Sequence, residues 1–223
     1  MKKKSTAPFG ADRWIVTRAK YLRMLAPFAS TEETRLYLGG IYIAPAAKGI
    51  VLVATDGHRM GIVHDENGAA TKPFICPIGK RALAQKLDID ALAVFAGADL
   101  HFLDADNPPK RRTVLQPLFT SAEPALEGDY PAWWKVVPVT VTRRLRPMSI
   151  NARYVGAFAK VGEAAGLKDG NRYGFNFYQS GGASDALIVR NPYLPEFVGI
   201  QMPMRIIDTD PLPRWLMAAR KAA

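Results

Sequence analysis

Residues 53–60 read Val53-Ala54-Thr55-Asp56-Gly57-His58-Arg59-Met60, and this run decides how the rest of the chain is interpreted. Val51 to Ala54 form an apolar strand run, and the Asp56–Gly57 pair supplies the turn chemistry that ends it. The turn exposes polar side chains at a strand end. Around it, alternation predicts strands over 35–44, 49–55 and 59–64. Helical spacing precedes them over 17–28, where Leu22, Leu25 and Phe28 recur at three-residue steps.

The same grouping returns twice. Helical spacing over 78–87 sets Ala84 and Leu87 beside Leu83, and strands are expected over 91–96, 99–104 and 113–119. A third helix is expected over 151–165, with Tyr154, Phe158 and Val161 along one stripe and Asn151 as N-cap. Strands over 173–179, 186–191 and 196–205 follow, the first showing alternation of Tyr173, Phe175 and Phe177. Short runs ending at Pro77 and Ile150 read as strands entering the second and third helices. Helix starts near 17, 79 and 151 give repeats of 62 residues (79 minus 17) and 72 (151 minus 79). The class is α+β, with repeated helix-plus-antiparallel-strand units. Each unit leaves a sheet face apolar, and like units stack to cover such a face.

A chain of 223 residues with 48% hydrophobic content can bury one large or two small cores. The longest purely aliphatic run, 50–54, is far short of the ~20 residues of a membrane-spanning helix, so a soluble protein without a membrane partner is expected. Lys2, Lys3 and Lys4 precede no signal-type apolar segment, and Cys76 is the only cysteine, which excludes an internal disulfide and points to a reducing cytoplasm. The formal charge of +10 suits an anionic partner such as nucleic acid, or serves solubility alone. Basic residues gather on the expected helices: Arg18, Lys20 and Arg23 on the first, Lys80, Arg81 and Lys86 on the second, Arg153 and Lys160 on the third. Glu163 is the one acidic residue among them. Such faces can contact phosphates in a salt-dependent, sequence-independent way, or they are simply solvated. Arg143, Arg144 and Arg146 lie in a connecting segment, and Lys110, Arg111 and Arg112 at a hairpin tip.

Catalytic signatures are absent. The sequence contains no HExxH, no CxxC pair and no GxxxxGK[ST]; His64 and His101 lack companions at ligand spacing, and Ser180-Gly181-Gly182 is a loop. Asp104 and Asp106 read as a polar strand end. A noncatalytic protein without cofactor or metal is expected.

In wording and surroundings, residues 33–63 resemble the bacterial DNA polymerase III beta sliding clamp family, the ring that tethers a polymerase to DNA. Two further matches follow in order: Tyr130-Pro131-Ala132-Trp133-Trp134-Lys135-Val136-Val137-Pro138 and Ile200-Gln201-Met202-Pro203-Met204-Arg205. The resemblance covers roughly 12–205 and implies a DNA-clamp (processivity-fold) architecture, with helices facing a central hole and sheets forming the outer wall. It divides the chain into a basic tail (1–10), a clamp-like domain of two units (11–138), a third unit or half domain (139–205) and a C-terminal extension (206–223). It also implies a pocket for short partner peptides, lined by Thr55, Gly57, His58, Arg59, Met60, Pro131, Lys135, Val136, Ile200, Met202, Pro203 and Met204, with Arg205 nearby. Met side chains adapt to varied apolar anchors, and His58 and Arg59 can hydrogen-bond a peptide backbone or a glutamine amide. Taken alone, Met202 and Met204 also fit an ordinary strand with half its residues in the core. The implied partners are double-stranded DNA, bound nonspecifically, and a DNA polymerase or other proteins with clamp-binding peptides.

The chain departs from the family pattern at several points. Trp133 and Trp134 stand where the family usually has an acidic residue or Tyr and then an Arg, and Lys135 stands where Arg is usual, so one pocket wall is bulkier and lacks a forked donor. A clamp mimic or regulator that does not encircle DNA is the alternative reading. A sequence-specific DNA binder ranks below both, because no recognition-helix motif is present. In the extension, Trp215, Leu216 and Met217 either dock on the pocket rim or belong to a frayed basic helix. An odd number of units leaves the third with an uncovered sheet edge and helix stripe. Self-association by pairing of third units, up to a tetrameric ring of twelve, competes with a compact monomer capped by the tail.

Overall fold

Alternation builds a first strand that takes up the first two residues of the helix expected over 17–28. β1 (Trp14–Arg18) buries Ile15 and Thr17, and the Thr17 hydroxyl donates to the Asp65 carboxylate at 2.7 Å, which holds this residue in extended backbone. α1 (Ala19–Leu25) therefore starts two residues later than residue 17. It gives way to a 3-10 turn, Ala26–Phe28, in which Pro27 lacks the N–H that would continue the α-helix. The structure is a computed structural model that describes residues 14–77, 79–85, 88, 90–96, 99–104, 117–122, 126–138, 148–167, 174–179, 181–182 and 184–205. The expected basic and C-terminal tails, Lys86, Lys110, Arg111, Arg112, Arg143, Arg144, Arg146 and most of the strand expected over 113–119 lie outside the described residues.

Three strands follow α1: β2 (Gly40–Pro45), β3 (Ile50–Thr55) and β4 (Arg59–Asp65). The expected strand over 35–44 is shorter at its start, because Glu33–Leu38 forms a 3-10 segment whose end is closed by the Gly39 N–H donating to Leu36 O at 2.9 Å. That N–H is used locally and cannot join a ladder. β5 (Ala69–Ala70) and β6 (Phe74–Pro77) lead to α2 (Lys80–Leu83), a single turn rather than the longer helix expected over 78–87; the Gln85 side chain donates to Arg81 O just past its end. Then come β7 (Leu92–Ala96), β8 (Asp99–Leu103), β9 (Phe119–Ala122) and a 3-10 turn at Trp133–Val136. α3 (Ala152–Ala164) begins at the expected N-cap, with Asn151 Oδ1 accepting from Arg153 N at 3.0 Å, and is followed by β10 (Asn176–Gln179), β11 (Leu187–Arg190) and β12 (Phe197–Gln201).

The strands form two antiparallel sheets, in the orders β5-β1-β7-β8-β9 and β10-β11-β12-β4-β3-β2-β6. The first two units are interlocked. The strand entering α1 pairs with β7 of the second unit (Ile15↔Phe95), and the strand entering α2 pairs with β2 of the first (Ile41↔Cys76). The third unit extends the larger sheet through β12, which pairs with β4 in the register Ile200↔Met60 and Gly199↔Gly61.

The main core lies under the helices. It joins Leu22, Leu25 and Phe28 to Ile41, Ile43, Leu52 and Val63 of the sheet and to Ala157, Phe158 and Val161 of α3. The stripe on α3 expected to stand uncovered is therefore buried inside the chain. Phe158 lies 5.5 Å from Phe28 and 5.9 Å from Phe177, ring centre to ring centre. The seam between β4 and β12 needs two glycines: a Cβ at Gly61 would stand 2.8 Å from Leu25 Cδ2, and one at Gly199 would stand 2.4 Å from Phe158 Cε1. No helix among the described residues is long and apolar enough to cross a membrane.

A buried tyrosine, Tyr21, and a half-buried one, Tyr130, make the fold sensitive to alkali. Burial, reinforced by Glu196 and Asp65, pushes the Tyr21 hydroxyl up to about 12, and burial raises Tyr130 as well. Tyrosines in the unfolded chain ionise near the ordinary value of about 10, while these two keep their protons in the fold. Above that pH the unfolded state holds fewer protons than the native state, so stability falls. Urea midpoints are expected to be level from about pH 8 to 9.5 and to drop between about pH 10 and 12, with a smaller drop in a Tyr21→Phe, Tyr130→Phe double variant.

Candidate functional site

The strand-end turn is built by its own polar groups. Asp56 Oδ1 accepts from His58 N and Arg59 N, both at 3.0 Å, while Thr55 Oγ1 donates to Arg59 O at 2.8 Å and accepts from Gly57 N at 3.1 Å. Gly57 adopts φ 90°, a conformation that favours glycine. Strand alternation then sends Met60 and Arg59 to opposite faces. The Arg59 guanidinium lies on the helix side: Nε donates to Asp56 Oδ2 at 3.0 Å, and the group stands 5.0 Å from the Tyr154 ring and 5.8 Å from the Phe28 ring. The His58 ring stacks on Tyr154 at 5.8 Å and 17°. His58 and Arg59 thus both lie against Tyr154 of α3, while His58 stays exposed.

Met60 begins a second, outward-facing apolar cluster with Val53, Ala186 and Ile200, all buried, flanked by half-buried Tyr42, Ile62, Ile188 and Val198. The segment 126–138 crosses this face. Tyr130 stacks on Tyr42 at 4.9 Å and 14°, and its hydroxyl donates to Val53 O at 3.3 Å; Trp133 and Val137 pack against the same cluster. The third stretch is tied in by Met202 N, which donates to His58 O at 2.9 Å, and by Met204 N, which donates to Ser149 O at 2.8 Å. The strand-end turn, the Tyr-Pro segment and the Met-Pro-Met strand therefore meet in one place, far apart as they are in sequence.

Large apolar side chains remain exposed around this buried floor. Met202 is 39% exposed, Met204 50%, Val136 55% and Trp134 59%. Pro131, Lys135 and Arg205 are exposed beside them, and Pro203 is half-buried. A cleft of about 450 Å³ adjoins the Tyr42–Tyr130 stack and is lined further by Phe74, Ile75, Leu126 and Asp129. Tyr42 and Tyr130 were not singled out as site residues by sequence, and Trp133 entered only as part of a bulkier pocket wall. The available signal was the Tyr-Pro segment, but which of its aromatics turn inward depends on the sheet beneath.

The basic helix residues divide into two groups. Arg18, expected on the first helix, is the last residue of β1 and pairs with Asp90 at 2.8 Å; Arg23 of α1 donates to Gln85 O, with burial lowering its pKa, so these two of the three expected helix cations are held by the second unit. Lys20 lies 5.2 Å from the Tyr21 ring centre. Arg81, Arg153 and Lys160 are exposed. Lys80 falls in α2. Among the described residues, no three His, Cys, Asp or Glu side chains are placed to hold a metal ion.

No protein-family model matches the chain. Over 121 residues it is 31% identical to the beta sliding clamp of Synechococcus elongatus, a match covering 52% of this chain and 30% of that protein. The chain thus spans less than a third of the curated relative it matches. Among solved structures, DNA polymerase III subunit beta from Borrelia burgdorferi, in complex with a natural product, superposes with a TM-score of 0.59 at 15% identity, covering 87% of this chain and 63% of that one. The sliding clamp of Bartonella birtlesii bound to griselimycin gives 0.56 at 20% identity, covering 92% and 70%. The beta subunit from Thermotoga maritima gives 0.57 at 10% identity, covering 92% and 69%. These superpositions show that the chain has the fold of the bacterial DNA polymerase III beta sliding clamps, over about two thirds of their length.

Proposed function

We propose that the protein recruits partner proteins by docking their short peptides on the outward patch around Met60 and Ile200, and that it binds duplex DNA without sequence preference. The convergence of three separate stretches on one apolar patch carries the first part. A buried floor ringed by exposed Met202, Met204, Val136 and Trp134 offers adaptable contacts to apolar anchors. In this reading residues 11–138 act as a two-unit domain, 139–205 as a third unit, and 1–10 and 206–223 as extensions; the work is noncatalytic recruitment in a reducing cytoplasm. A labelled peptide carrying a glutamine and apolar anchors is expected to give saturable fluorescence anisotropy. Met204→Ala, at a half-exposed position, is expected to weaken binding about tenfold without loss of fold. Absence of binding to the wild-type chain, with or without residues 206–223, overturns the recruitment reading.

The DNA part draws on the exposed Arg81, Arg153 and Lys160. Reversing these three charges is expected to lower affinity on every DNA sequence and to reduce the salt slope by about 1 for each phosphate that is no longer neutralised. The engagement of Arg18 with Asp90 and of Arg23 with Gln85 favours a second reading, a clamp mimic or regulator that competes for clamp-binding peptides. Peptide binding without DNA binding at low salt selects that reading.

A further inference from the structure

The outward face of the larger sheet does not end at the patch around Met60. It continues through Val53 of β3 to Tyr42 of β2, which pairs with Val53 on one side and with Ile75 of β6 on the other. There the cleft of about 450 Å³ opens, lined by the aromatic residues Tyr42, Phe74 and Tyr130 and by the acidic residues Glu127 and Asp129. Both acidic residues are exposed. Among the described residues neither enters an ion pair, and the cleft lining holds no Lys or Arg; Lys72, which precedes Pro73 of the lining, pairs with neither carboxylate. The loop that carries them is anchored at both ends, by Leu126 N donating to Ile75 O at 3.1 Å and by Tyr130 stacking on Tyr42 at 4.9 Å. Aromatic faces and unpaired carboxylates attract the same kind of ligand, a cation.

We propose that this cleft receives a basic side chain, arginine in particular, of the peptide docked on the neighbouring patch. The inference deepens the docking reading and rests on it. A planar guanidinium can lie against a tyrosine ring while its donors reach a carboxylate, whereas an ammonium group is a point charge that serves one contact at a time. The spacing is set by the sheet. β2 lies two strands from β4 and three from β12, so at about 4.8 Å per strand the cleft begins about 10 Å from Met60 and about 14 Å from Ile200. An extended peptide advances about 3.3 Å per residue, which places its basic residue about three to four positions from the apolar anchor seated over that floor. The protein's formal charge of +10 disfavours basic partners at long range, so a gain in affinity from an added arginine reports a local contact.

The test is fluorescence anisotropy on the full chain at about 0.1 M salt, with an uncharged parent peptide carrying a glutamine and apolar anchors and two versions of it that add one arginine, about three residues before or about three residues after the anchors. One of the two arginine peptides is expected to bind about fivefold more tightly than the parent, and the gain shrinks at about 0.5 M salt. The Glu127→Gln, Asp129→Asn double variant is expected to bind the parent peptide as the wild type does and to lose the arginine gain. Met204→Ala is expected to weaken parent and arginine peptides alike and to keep the gain. Near-ultraviolet circular dichroism checks that the double variant retains its aromatic packing. No gain from either arginine peptide, or a gain that persists in the double variant, overturns the inference and leaves the docking reading standing. Absence of binding by all three peptides overturns both.

Discussion

Replacing Phe158 by Ala is expected to cost about 3–5 kcal/mol of stability, the range for deleting a fully buried phenylalanine ring. Phe158 is buried and lies 5.5 Å from Phe28, 5.6 Å from Phe175, 5.9 Å from Phe177 and 6.4 Å from Phe197. It is the side chain for which Gly199 stays bare, so no neighbour on β12 can extend into the space it would leave. Three structural parts meet on this ring: the turn after α1, the strand β10 and the seam strand β12. Urea denaturation with circular dichroism measures the loss. Hydrogen exchange is expected to show protection disappearing first in α3 and β10. Phe158→Leu, which refills most of the volume, is expected to cost less than half as much. A cost below about 1 kcal/mol for the alanine variant means that α3 is not seated on the seam.

Arg59→Ala is expected to cost about 3 kcal/mol. The Arg59 and Asp56 side chains are only 18% and 17% exposed, so removing the cation strands a largely desolvated carboxylate and forfeits two ring contacts. Lys is expected to rescue little, because a point charge cannot bond Asp56 and lie flat against Tyr154 together. Asp56→Asn is milder, since its amide oxygen can still accept from His58 N and Arg59 N. The informative comparison is with peptide binding. The guanidinium lies on the helix face, away from Met60, so Arg59→Ala measured well below its unfolding transition is expected to change peptide affinity far less than Met204→Ala does. Comparable losses place Arg59 in direct contact with the peptide.

Much of the candidate site was legible because the signals that mark it are short-range. Asp56 and Gly57 announce a turn whose hydrogen bonds close within four residues, and the turn forms as the residues suggest. Alternation in β3, β4 and β11 reports which side chains share a face. The side on which Met60 lies followed from position, but that Arg59 would meet Tyr154 and Phe28 did not, since periodicity says nothing about what stands opposite. The basic helix faces show the same limit. Arg18 and Arg23 look identical in sequence to free surface cations, and their partners Asp90 and Gln85 lie 72 and 62 residues away.

By itself the sequence determined the repeated helix-and-strand unit, the N-cap at Asn151 and the apolar character of the stretches around Met60, Tyr130 and Ile200, because each depends on spacing within a few residues. Only the tertiary structure decided that β1 would pair with β7 of the second unit as well as with β5 of its own, that β12 would close on β4, and that Gly61 and Gly199 would face each other beneath the two helices. Those outcomes depend on which surface is left to cover once each element has formed. Burial is indifferent to chain order, so local pattern cannot name the partner that will cover it.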